Sequence, residues 1–162
     1  MTRPSALSRE AFVARFGPVY EASPWVAEGV WPNPPDDLEG LAAAMAAVVD
    51  AAPREARLAL IRAHPQLASR AKMAEASVRE QAGAGLDACS PEEFAAFQRL
   101  NGAYDARFGF PFIYAVKGAG RAEILAAFEA RLANDPDAEF ATAIAQIHRI
   151  ARFRLADLLE SA

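Results

Sequence analysis

The chain holds two histidines, His64 and His148, two lysines, Lys72 and Lys117, and one cysteine, Cys89. These five side chains are its whole stock of near-neutral bases, amines and thiols. Imidazole titrates near neutral pH and suits general acid–base work. His64 precedes Pro65, and the residue before a proline is pushed out of helical geometry. His64 therefore falls at a helix end, where a side chain can project into a cleft. Its bland reading is a histidine placed to favour the helix dipole. His148 lies beside an apolar stripe and reads as structural. Cys89 has no histidine near it in sequence and is given no nucleophilic role.

Ser77, Glu80 and Gln81 are spaced i, i+3 and i+4, so they share one helical face. That face offers a hydroxyl, a carboxylate and an amide to a polar ligand. The same Ser-x-x-Glu spacing is also a capping box, in which Ser77 only starts a helix and Glu80 reaches back to it. Arg154 flanks a late apolar stripe. Arginine there can hold a carboxylate through two parallel hydrogen bonds, or it can snorkel over the core into water. The run Phe110-Pro111-Phe112-Ile113 is either pocket wall or core.

Composition narrows the chemistry. Neither a Cys/His cluster at zinc spacing nor a phosphate-binding or dinucleotide fingerprint occurs, and Lys72 and Lys117 are the only candidates for Schiff-base chemistry. Lys117-Gly118-Ala119-Gly120 reads as a turn. Of the 162 residues, 53% are hydrophobic and 23% charged, which fits a globular chain with a real core. A net charge of -4 argues against a nucleic-acid surface. No run reaches the roughly 18 apolar residues of a membrane span. A single cysteine excludes an internal disulfide. The first residues lack a signal peptide's apolar run, and Glu160-Ser161-Ala162 is not a peroxisomal address. The cytoplasm is the expected compartment.

The elements that must carry these residues read as helices. Ser8 caps a helix bearing Phe12 and Phe16 that Gly17 stops. Pro32, Pro34 and Pro35 mark residues 29 to 37 as a loop. Asp36 or Asp37 then caps a helix with Leu38, Leu41, Met45, Val48 and Val49 inward. Pro53 suits the first turn of the next, which carries Leu58, Leu60 and Ile61 and ends at His64-Pro65. A helix is expected from about Ser77 to Gly83 or Gly85. Ser90-Pro91-Glu92-Glu93 is a strong start for another, with Phe94, Phe97, Asn101, Tyr104 and Phe108 on one face and Gly109 ending it. Residues 110–116 are apolar and broken by proline, and no second strand pattern exists to pair with them. They predict a buried extended connector whose backbone groups need side-chain or ligand partners. Two helices close the chain. One carries Ile124, Leu125, Phe128 and Leu132 and ends near Asn134; the last carries Phe140, Ile144, Ile147, Ala151, Leu155 and Leu158. No repeat or linker is visible, so the expectation is an all-α fold, a single irregular multi-helix domain over residues 1–162.

In order along the chain, several pieces resemble one family. They are Tyr20-Glu21-Ala22-Ser23-Pro24-Trp25; His64-Pro65-Gln66-Leu67-Ala68; Ser77-Val78-Arg79-Glu80-Gln81; and Gly83-Ala84-Gly85-Leu86-Asp87. Leu100-Asn101-Gly102-Ala103-Tyr104, Phe108-Gly109-Phe110-Pro111-Phe112-Ile113 with Val116-Lys117-Gly118, and Ile150-Ala151-Arg152-Phe153-Arg154-Leu155 complete the set. Each piece is weak alone, but the ordered set is specific and spans nearly the whole chain. It is similar to the 2-oxo-4-hydroxy-4-carboxy-5-ureidoimidazoline (OHCU) decarboxylases of urate breakdown.

The resemblance implies an all-helical fold and a cofactor-free carboxy-lyase reaction that turns the ureidoimidazoline into (S)-allantoin and carbon dioxide. His64 matches the family's catalytic histidine and Glu80 its catalytic or orienting carboxylate. Pro65, Ser77, Gln81, Phe112, Ile113 and Arg154 match positions that bind substrate or line its pocket. The partner implied is a small molecule, with neither nucleic acid nor membrane, and the family is often homodimeric. The competing class is a helical binding module, which would expose a large apolar groove.

Overall fold

A computed structural model describes residues 3–68 and 75–160. It contains eight α-helices among the described residues: α1 (Arg9–Phe16), α2 (Trp25–Val30), α3 (Leu38–Asp50), α4 (Arg54–Ala63), α5 (Glu75–Gly83), α6 (Pro91–Phe108), α7 (Arg121–Arg131) and α8 (Pro136–Glu160). No strand occurs among those residues, as the all-α reading expects. Lys72 lies outside the described residues. The chain resolves into two compact units, Met1–Ala63 with Ile147–Ala162, and His64–Gln146.

In the first unit, local capping starts the helices. Ser8 Oγ accepts the Ala11 N–H at 3.1 Å, and Asp37 accepts the Gly40 N–H at 2.8 Å. Each satisfies one of the donors that a helix start leaves open. Pro53 stands one residue ahead of α4, and its carbonyl accepts the Ala56 and Arg57 N–H groups. Phe12, Phe16, Leu41, Met45, Val49, Leu60 and Ile61 are buried, whereas Leu38, Val48 and Leu58 are half-buried. The loop expected over residues 29–37 is shorter than read, because α2 continues through Gly29 and Val30. Gly29 has a packing reason: a Cβ there would fall 2.8 Å from Val48 Cγ1 of α3.

The second unit is built on an aromatic cluster. Phe112 stacks on Phe128 with ring centres 3.9 Å apart, and Tyr104 meets Phe112 and Phe128 edge-on. The capping box at α6 forms in both directions, Glu93 N–H to Ser90 Oγ and Ser90 N–H to Glu93 Oε1. Gly109 ends α6 at a φ of 75°, a left-handed conformation that glycine adopts without strain. Residues 110–116 run as the expected buried connector, with Phe110, Phe112, Ile113, Ala115 and Val116 inside. Helix α7 ends at Arg131, a few residues before Asn134.

Candidate active site

His64 follows the last residue of α4 and is buried, as a histidine before proline at a helix end should allow. Pro65 and Gln66 beside it are half-buried, and Leu67 and Ala68 are buried. The Ala68 N–H donates to Gln81 Oε1 of α5 at 3.0 Å. That bond ties the histidine segment to the helix bearing Ser77 and Glu80. Ser77 stands two residues inside α5, whose first residue is Glu75, so it does not cap this helix. Ser77 and Gln81 are buried and Glu80 is half-buried, as one helical face turned inward requires.

The connector over residues 110–116 is pinned by side chains. Arg131 Nη1 donates to the Ile113 carbonyl at 2.5 Å, and the Ala115 N–H donates to Gln146 Oε1 at 2.9 Å. The Arg131 guanidinium also lies 4.3 Å from the Phe112 ring centre, a cation–π contact. Arg131 Nε donates to Glu139 Oε1 at 2.6 Å. Glu139 is fully buried and accepts further bonds from Tyr104 Oη at 2.6 Å and Asn134 Nδ2 at 3.1 Å. Burial, and then the neighbouring carboxylate, push the Tyr104 phenol well above its usual range. Phe112 and Ile113 are thus held against a buried ionic network, in which Arg131 Nη2 pairs with Glu139 Oε1 at 2.5 Å by charge and makes no hydrogen bond.

Arg154 belongs to the first unit, while His64, Pro65, Ser77, Glu80, Gln81, Phe112 and Ile113 belong to the second. It does not snorkel. Its side chain is buried, and Nη1 donates to Glu21 Oε1 at 3.0 Å and to the Val19 carbonyl at 3.3 Å. Nearby in sequence, Tyr20 Oη and His148 Nδ1 lie 2.8 Å apart, and His148 Nε2 lies 3.0 Å from Asp50 Oδ1. His148 is a bridge in that unit, in line with its structural reading. Among the described residues, no group of three or more histidine, cysteine, aspartate or glutamate side chains is placed to hold a metal ion.

Residues 5–156 match the family model described as OHCU decarboxylase. The chain belongs to the OHCU decarboxylase family. It is 45% identical over 156 residues to a 2-oxo-4-hydroxy-4-carboxy-5-ureidoimidazoline decarboxylase of Haloferax volcanii, covering 96% of this chain and 93% of that one. It is 44% identical over 144 residues to the uric acid degradation bifunctional protein PucL of Bacillus subtilis, covering 88% of this chain and 29% of that longer protein. A crystal structure of (S)-allantoin synthase superposes with a TM-score of 0.79 at 31% identity, over 96% of this chain and 52% of that one.

Membership in the OHCU decarboxylase family makes this chain a decarboxylase and sets aside the binding-module reading. Sequence reasoning missed the Arg131–Glu139–Tyr104 network. Its only local signal was a glutamate in the first turn of α8, which reads as an ordinary dipole complement. Glu21 was visible only as part of a family-like motif, and its pairing with Arg154, 133 residues away, left no local trace.

Proposed function

We propose that this chain converts 2-oxo-4-hydroxy-4-carboxy-5-ureidoimidazoline to (S)-allantoin and carbon dioxide, with His64 as the general acid–base group. The supporting observation is the Gln81–Ala68 hydrogen bond. It joins the His64 segment to the face of α5 that carries Ser77 and Glu80, the two pieces of sequence in which the family's catalytic pattern is most concentrated.

The chemistry asks little beyond positioning. The bond to the carboxylate breaks, carbon dioxide leaves, and its electron pair passes into the conjugated ring. The substrate is its own electron sink, so no imine or thiamine is needed. The protein must hold the carboxylate out of the ring plane, stabilise the developing charge and deliver one proton to one face. Neutral His64 hydrogen-bonds the substrate hydroxyl or carboxylate and starts the electron shift. Glu80 orients the imidazole or the ureido nitrogens. Ser77, Gln81 and Arg154 hold polar substrate groups, and Pro65, Phe112 and Ile113 line the pocket. Backbone N–H groups near Ile113, on a segment whose carbonyl is already held by Arg131, bind a ring oxygen. Acid–base help of this kind is worth about a hundred- to ten-thousand-fold.

The family match crosses both compact units, which supports treating residues 1–162 as one decarboxylase domain. Among the described residues, no helix is long and apolar enough to cross a membrane. The single cysteine fits the cytoplasm. A homodimer is the assembly the family resemblance implies, and light scattering would read it directly.

Circular dichroism of allantoin formed from urate by urate oxidase and the ring-opening hydrolase tests the reaction. Rapid appearance of the (S) enantiomer only with this protein present is expected. Slow racemic formation despite folded protein would overturn the proposal.

A further inference from the structure

The backbone that follows His64 is held by three carboxamide side chains. The Ala68 N–H donates to Gln81 Oε1 at 3.0 Å, Asn101 Nδ2 donates to the Leu67 carbonyl at 3.0 Å, and Gln98 Nε2 donates to the Ala68 carbonyl at 3.3 Å. Gln81 comes from α5, while Gln98 and Asn101 sit three residues apart on α6 and therefore on one face. Leu67, Ala68, Gln81 and Asn101 are buried, so these backbone groups depend on the carboxamides rather than on bulk water.

Ala68 adopts a φ of 56°. A residue with a Cβ seldom enters that left-handed region, and such strain persists only where the surroundings over-determine it. Here Ala68 is bonded through both its N–H and its carbonyl, and the residue before it is bonded as well. His64 stands four residues upstream. The ring of Pro65 fixes one backbone torsion in between. A single enforced turn at Leu67–Ala68 therefore limits where the segment can place the imidazole.

We propose that Asn101, together with Gln81 and Gln98, is a positioning residue for His64, its carboxamide clamp on Leu67 and Ala68 fixing where the imidazole sits. The proposal rests on the reading of His64 as the acid–base group. It assigns Gln81 a duty toward the backbone in addition to the one proposed toward substrate. Asn101 Oδ1 is buried and makes no hydrogen bond, so the anchor runs through Nδ2 alone.

That asymmetry gives a specific test. Asn101→Leu keeps the bulk and deletes the donor. Asn101→Asp sets a carboxylate oxygen against the Leu67 carbonyl, and a donor returns only when the new carboxyl protonates. Turnover would be measured in the allantoin assay across pH, beside His64→Ala, with folding checked by far-ultraviolet dichroism. The expected result is a kcat about a hundredfold lower for Asn101→Leu at nearly unchanged KM, the scale of a small misplacement of a catalytic group. The activity ratio of Asn101→Asp to Asn101→Leu should rise as the pH falls. Wild-type kcat in folded Asn101→Leu, or a ratio independent of pH, would overturn the clamp while leaving His64 intact. A fully active His64→Ala would instead overturn the underlying reading. Should Asn101→Leu fail to fold, Gln98→Ala, which truncates an exposed side chain, decides the matter. Lowered kcat with unchanged KM supports the clamp, and unchanged kcat overturns it.

Discussion

Arg154 and Glu21 form a buried ion pair, Nη1 to Oε1 at 3.0 Å, between residues 133 positions apart. Removing one member of such a pair strands the other's charge away from water, at a cost of about 3–5 kcal/mol. Arg154→Leu should therefore lower stability by that order as well as slow catalysis. Adding Glu21→Gln should restore part of the stability, because the stranded carboxylate is gone, but none of the activity. Urea denaturation of the two single variants and the double variant checks this. Strictly additive losses would show that the pair is not coupled.

The Glu139 network makes a second, graded prediction. Glu139→Ala leaves the Arg131 guanidinium without its carboxylate and should cost about 3–5 kcal/mol. Tyr104→Phe removes one of three donors to Glu139 and should cost only about 1.5–3 kcal/mol. Equal losses in denaturant titrations would mean that the carboxylate is not the centre of the network.

Much of this architecture was legible in the sequence. Ser8, Asp37 and the Ser90–Glu93 box act on residues within one turn, and such local chemistry shows in spacing alone. The buried connector was legible because Pro111 forbids a helix and no partner strand exists. Two of its backbone needs are met by Arg131 and Gln146, as the accounting of buried groups required. Helix α2 was not legible: it has six residues, and the prolines at 32, 34 and 35 dominate its neighbourhood. Nor was the burial of Arg154 and Glu139, since both depend on partners supplied by other parts of the chain. At the candidate site, the residue types and the shared face of Ser77, Glu80 and Gln81 were readable. The duty of Gln81 toward the Ala68 backbone was not, because it depends on where the loop after His64 folds back.

Acid should selectively remove what Glu93 contributes. The Ser90 N–H, and after it the Arg121 guanidinium, hold the Glu93 carboxyl below the ordinary glutamate range. A carboxyl depressed in the folded state stabilises fully above its unfolded pKa, and the contribution disappears as the pH falls through the folded value. Wild type should therefore melt above Glu93→Gln at neutral pH, and the gap should close in acid. A gap that persists unchanged into acid would contradict the assignment.

Cys89 should be a sluggish thiol. Burial first, and then the carboxylates of Glu93 and Asp87 against the opposing Arg121, push it above its usual range. The thiolate is the reactive form, so iodoacetamide at neutral pH should label native protein more slowly than unfolded protein. Native labelling at the unfolded rate would refute this.

The proposed mechanism turns on the acid–base step at His64. Single-turnover rates of wild type and His64→Asn, with freshly generated ureidoimidazoline and enzyme in excess, test it most directly. The expected result for His64→Asn is an unchanged fold, a rate lower by about a hundred- to ten-thousand-fold, and allantoin that forms as the racemate of uncatalysed decay. A folded His64→Asn that still gives (S)-allantoin at the wild-type rate would contradict it.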